Sequence, residues 1–273
     1  VEGDAILIQR MYQATTMSDP AELERLENEQ AQAAAAADFD RLPYVVAQTM
    51  YFPYWWGPQF IHGAVGSGPL TTFGEYGPAV DRLFRRPPVS TSQILHPERY
   101  IARIEPVPVP LRDLAPLLGS DWVPLGEGPV GELSHRLLLE QWLRETDPEL
   151  AIRASSPWTG DRTSVYRRGD GSPDAVRDLI VVLKTRWETA EDAAQWGGAY
   201  AATVPLLYQR LAGVSEDPGE PFVAYPAGAG RLAWERPFER SIGLGWSGQF
   251  SAIAIAPEVR LAQQLVDFAL AGD

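Results

Sequence analysis

Residues 178–186 read Asp-Leu-Ile-Val-Val-Leu-Lys-Thr-Arg. Five consecutive aliphatic side chains bounded by polar ones predict a strand buried on both faces. Thr189 follows as a helix cap, with Glu191 and Asp192 in the first turn, and the helix is expected to run to about residue 211. Beyond a Pro/Gly-rich connector at 213–230, three short strands are predicted near 231–235, 241–246 and 249–255. Pro257 then opens a last helix ending near 271. Upstream, Trp158 to Arg162 turns into a strand over 163–167, and Gly169-Asp170-Gly171 is a hairpin-like turn. The back of the chain therefore reads β-α-β-β-β-α.

The front is helical. Helices are expected over 4–17, 21–37, 73–86, 130–145 and 148–155, with a capped turn over 90–95 behind Pro87-Pro88 and a short helix over 112–118. Prolines alternating with valines over 101–111 predict an extended edge segment. Residues 119–128 read as a loop. The fold class is α+β: a mostly helical lobe over 1–155, then a small mixed or antiparallel sheet with packing helices over 156–273, with one continuous domain as the alternative division.

No charged residue occurs from Leu42 to Gly74. Pro43, Pro53, Pro58, Gln48, Gln59 and His62 in this run argue against a membrane span and for a buried helix pair, broken at Pro53 and Pro58. Its aromatic cluster (Tyr44, Tyr51, Phe52, Tyr54, Trp55, Trp56, Phe60) is read first as core.

The net charge of −13 argues against nucleic acid and against anionic lipid, both of which need clustered positive charge. Cysteine is absent, which excludes thiol catalysis, disulfides and Cys-ligated metals. There is no P-loop, no dinucleotide fingerprint, no Gly-x-Ser-x-Gly elbow and no His-Glu-x-x-His pair. The three histidines, His62, His96 and His135, lie in distant segments. Glu132 and His135 have the i, i+3 spacing of dimetal carboxylate bundles, but a second copy is missing, so they are read as a pair on a helix surface. Four tryptophans, Trp158, Trp187, Trp234 and Trp246, suit either a sugar groove or a sheet core.

Residues 88–100, Pro-Val-Ser-Thr-Ser-Gln-Ile-Leu-His-Pro-Glu-Arg-Tyr, resemble a Pro-x-Ser-Thr-Glu-Gln-Ile-Leu-His-Pro-Glu-Lys-Tyr segment of exported or lipoprotein-like bacterial proteins similar to gluzincin zinc metallopeptidases. Val-Glu-Gly-Asp-Ala at 1–5, the Phe-Pro-Tyr of 52–54 with Gly57 and Phe60, the stretches 131–143 and 158–162, and Arg-Trp-Glu-Thr at 186–189 resemble the same group in the same order. The resemblance implies that Glu2 is a zinc ligand, that Asp4 orients a ligand from behind, and that His96 is a catalytic donor. In such a site a zinc-bound water would attack a peptide bond. The histidine-bearing zinc helix of that group has no counterpart here, and Ser92 stands where the group has Glu. The expected function is therefore a non-catalytic binding or structural subunit on a metallopeptidase-like scaffold, within a larger assembly. The alternative is the C-terminal piece of a zinc peptidase whose missing helix was removed or lies on a separate chain. A processed or truncated start at Val1, a partner covering the first helix around Ile6, Leu7 and Met11, zinc only if that helix is supplied, and an extracytoplasmic or cell-envelope location complete the expectations.

Overall fold

The computed structural model describes residues 1–16, 21, 25, 42–65, 73–169, 178–214, 223–226, 230–235 and 240–271. The chain forms two compact units, Val1–Glu105 and Pro106–Asp273. Sequence patterning assigned the helices near 131–143 and 148–155 to the helical lobe. They belong instead to the second unit, because their apolar stripes close one face of its sheet.

The first unit is built from α1 (Glu2–Thr16), α2 (Tyr44–Val65), α3 (Phe73–Arg85), α4 (Thr91–Leu95) and α5 (Pro97–Ile101). Its core joins Leu7, Phe60, Ile61, Tyr76 and Val80, with Met11, Leu83, Ile94 and Tyr100 packed around them. Sequence reading expected an apolar face at Ile6, Leu7 and Met11 to need another chain. Leu7 and Met11 instead pack inward on α2 and α3, and the exposed large apolar side chains are Ile8 and Tyr12 on α1 and Val1 just before it.

The second helix runs on through Pro53 and Pro58, where a kink or restart was expected. Each proline removes one ladder bond. Burial of Phe52, Pro58, Phe60 and Ile61 holds the helix through both losses. Of the helix expected over 21–37, only Ala21 and Arg25 are described, and both are helical. The turn at 169–171 lies outside the described residues beyond Gly169.

The stretch 88–100 proves to be a local clamp. Ser90 Oγ accepts from Gln93 N at 3.2 Å, while Gln93 Oε1 accepts from Val89 N at 2.9 Å, close to a reciprocal capping box. Gln93 Nε2 donates to Ile104 O at 2.8 Å, and Tyr100 OH to Arg86 O at 2.7 Å. Tyr100 also meets Phe60 edge-on, with ring centroids 5.1 Å apart.

The second unit holds a seven-stranded antiparallel sheet in the order β1-β2-β3-β7-β6-β5-β4. The strands are β1 (Trp122–Gly128), β2 (Trp158–Arg168), β3 (Leu179–Trp187), β4 (Val223–Pro226), β5 (Arg231–Glu235), β6 (Ser241–Ser247) and β7 (Phe250–Ala256). The predicted aliphatic strand is β3, near the centre. A short helix, α6 (Ala115–Leu118), leads into β1, which replaces the loop expected over 119–128. The edge segment expected over 101–111 forms no strand: Ile101 ends α5, and the segment after it touches the sheet through Val107 N to Thr159 O at 2.8 Å.

Two cores sandwich the sheet. On one face α7 (Gly131–Leu143), α8 (Pro148–Ser155) and α9 (Ala190–Val214) bury Trp158, Trp187, Trp196 and Trp234 with Leu139, Leu244 and Ile253. On the other, α10 (Val259–Leu270) packs Ala262, Leu265 and Val266 onto Ile180, Val182, Ala252 and Ala254. Gly243 permits this contact: a Cβ there would stand 2.6 Å from Ala262 O. The α+β class is thus realised with every strand pair antiparallel. No helix among the described residues is long and apolar enough to cross a membrane.

Candidate functional site

A cleft of about 280 Å³ opens in the first unit, where α1, α2 and α3 converge beside Pro87 and Pro88. Its walls are apolar, with Phe52, Phe60, Ile61, Val80, Leu83 and Ile94. Its charged lining comes from Glu2 and Asp4 in the first turn of α1. Two glycines bring the helices together there: a Cβ on Gly3 would lie 2.3 Å from the Gly57 carbonyl carbon. Acidic residues favour the N-terminal turn of a helix, which explains where Glu2 and Asp4 sit.

Asp4 is fixed in place. Its Oδ1 accepts from Tyr76 OH at 2.6 Å. Burial, and then the hydrogen bond and charge of Asp4, push the Tyr76 phenol above its ordinary value of 10.0. The phenol therefore remains a neutral donor across the usual pH range, holding the carboxylate against the core.

Of the residues singled out by resemblance, Glu2 and Asp4 come together in this lining. His96 is not among the lining residues. It sits at the junction of α4 and α5, its backbone N–H donating to Ser92 O and its Nδ1 3.6 Å from Glu98 Oε1. Catalytic zinc takes about three protein ligands. Around Glu2 the cleft offers Asp4 and otherwise apolar groups, and among the described residues no cluster of three or more His, Cys, Asp or Glu is placed to hold a metal ion. This donor set does not fit zinc on its own.

A second polar cluster lies inside the second unit. Glu132 and His135, read from the sequence as a helix-surface pair, are 1% and 0% exposed. They are buried along with Gly131, Leu133, Leu137, Leu139 and Leu143 of α7. Asp161 on β2 reaches the start of this helix: Oδ1 accepts from Val130 N at 2.7 Å, and Oδ2 from Gly131 N at 2.8 Å. Trp158 Nε1 donates to Oδ2 at 2.8 Å, and His135 Nε2 stands 3.4 Å from the same oxygen and 3.3 Å from Thr185 Oγ1.

Burial pulls Asp161 upward, but the hydrogen bond and charge of His135 and the two backbone N–H groups outweigh it, leaving the carboxyl below its ordinary 3.8. Gly131, at φ 81°, allows the sharp entry into the helix that aims both amides at one carboxylate. The cluster is closed to solvent and does the work of a cap supplied from a strand. Sequence reasoning passed over Asp161. The signal was present in the Trp-x-x-Asp spacing of 158–161 and in Gly131 standing just before the Glu132/His135 pair.

Residues 123–264 match the family DUF8575, a domain of unknown function. Neither a curated protein nor a solved structure matches the chain. The matched span begins in β1 and ends within α10, so it contains the Asp161 cluster and lies wholly inside the second unit. It covers just over half of the sequence, and the chain belongs to the DUF8575 family.

Proposed function

We propose that this chain is a non-catalytic binding subunit whose first unit receives apolar side chains of a partner protein in the α1–α2–α3 cleft, within an extracytoplasmic or cell-envelope assembly. The observation that carries the reading is the cleft itself: apolar walls, with carboxylates at Glu2 and Asp4. Val1, Ile8, Tyr12 and Phe84 add exposed apolar side chains on two of the helices that form it. Apolar surface of this kind, edged by polar groups, is typical of interaction sites.

Nile red, a neutral apolar probe, tests the site directly. The whole chain should bind it saturably, and Leu83→Trp, which fills the cleft from a half-buried position, should abolish binding while the far-UV circular dichroism stays unchanged. Equal binding by the filled variant would sink the reading.

The shared placement of Glu2 and Asp4 favours a second reading, in which this chain is part of a zinc peptidase and the cleft is completed by a His-Glu-x-x-His helix on another segment. A synthetic helix of that pattern should then bind the chain only with zinc, and Glu2→Gln should remove the zinc dependence. Zinc-independent behaviour of both proteins would exclude it.

A further inference from the structure

Every charged side chain that lines the α1–α2–α3 cleft is acidic. Glu2 and Asp4 stand on either side of Gly3 in the first turn of α1, and both are half-buried. The remaining lining residues are apolar or glycine. Neither carboxylate is neutralised: among the described residues no arginine, lysine or histidine forms an ion pair with Glu2 or Asp4. The hydrogen bond that Asp4 accepts comes from the neutral phenol of Tyr76.

The helix start accounts for part of this charge. Its amides carry the equivalent of about half a positive charge, whereas the first turn of α1 bears two carboxylates, Glu2 and Asp4. That end of the cleft is therefore net negative. An unpaired carboxylate on an open surface is ordinary. These two border apolar walls, where the field is focused and a cation is attracted more strongly than in open water. A partner offering only apolar side chains would strip water from both carboxylates and put nothing in its place, which costs free energy. A lysine or arginine supplies the donors at its tip, while its apolar stem lies along the wall.

On the reading that the cleft receives apolar side chains of a partner protein, on which this one rests, we propose that the bound segment carries a lysine or arginine beside those side chains, its charge set against Glu2 and Asp4. An apolar segment with an acidic residue in that place is repelled. The charge of the cleft thus selects among partners that its apolar walls alone would accept equally.

Displacement of Nile red from the whole chain tests this, with EDTA present to keep metal ions out. The competitors are acetyl-Leu-Lys-Leu-amide, acetyl-Leu-Gln-Leu-amide and acetyl-Leu-Glu-Leu-amide, which differ in one side chain. The lysine peptide should displace the dye at a roughly threefold to tenfold lower concentration than the glutamine peptide, with the glutamate peptide weakest. Glu2→Gln combined with Asp4→Asn, which keeps an acceptor for Tyr76, should bring the three peptides within about twofold of one another. Glu191→Gln, an exposed position in the second unit, alters the net charge without touching the cleft and should leave the preference intact. The ranking on the wild-type chain gives a readout even if a variant folds poorly. Equal displacement by all three peptides while Nile red still binds would overturn the basic residue and leave the cleft reading standing. Absence of Nile red binding would overturn both. A lysine preference that survives the double variant, or that Glu191→Gln also removes, would come from the overall charge and would overturn the proposal.

Discussion

Gly3 and Gly57 meet backbone to backbone where α1 crosses α2; a Cβ added to Gly57 would stand 2.8 Å from Gly3 Cα. No side chain fits between them, so the first helix can lie on the second only because both positions are glycine. Gly57→Ala is expected to destabilise the first unit by about 1–3 kcal/mol through overpacking. Chemical denaturation followed by the fluorescence of the α2 tryptophans measures this. Because the same crossing forms the cleft, the variant should also lose Nile red binding, and an unchanged midpoint would show that the contact is dispensable.

Asp161→Asn should cost about 3 kcal/mol at neutral pH, because it removes the charge from a buried carboxylate that two backbone amides, Trp158 and His135 all address. Urea denaturation gives the number. Asp161→Ala should cost at least as much, since it leaves those donors with no acceptor.

The same carboxylate sets a pH dependence. Its folded value lies below the ordinary 3.8, so the unfolded chain takes up the proton first. The stabilisation is fully present above 3.8 and is lost as the pH falls through the lower folded value. The gap in urea midpoint between wild type and Asp161→Asn should therefore narrow in acid. A gap constant from neutral pH to well below 3.8 would contradict the role given to Asp161.

Tyr76→Phe should cost about 1 kcal/mol, the net value of the hydrogen bond to Asp4. The phenol offers a second check with the opposite sign. Its folded value is raised, so its contribution is present below 10.0 and is lost as the pH rises through the higher folded value. Ultraviolet difference titration of wild type against Tyr76→Phe should show the missing phenol ionising above the ordinary 10.0.

Much of this architecture was legible from residue patterns. The aliphatic run of β3, the acidic first turn of α9 and the proline before α10 mark their elements locally, and each appears close to its expected limits. β1 was not legible, because an exposed strand carrying Pro124, Gly126 and Gly128 looks like a loop until β2 pairs with it. The continuity of α2 through two prolines depends on tertiary burial, which propensity does not report. The candidate cleft was half legible: Glu2 and Asp4 were singled out, but by resemblance, and the apolar walls come from helices far apart in sequence. Asp161 was invisible for a related reason, since its partners are the amides of a helix start that only the tertiary fold brings near.

The strand order has a kinetic consequence. Two meanders, β1-β2-β3 and β4-β5-β6-β7, are joined along one seam, where residues 181–186 pair with 250–255. Every other strand pair joins neighbours in sequence, whereas this one must close a loop containing all of α9 and three further strands. Loop closure of that size slows folding more than it weakens the folded state. The β3–β7 seam is thus expected to be the slow step of assembly, forming after the pairings within each meander.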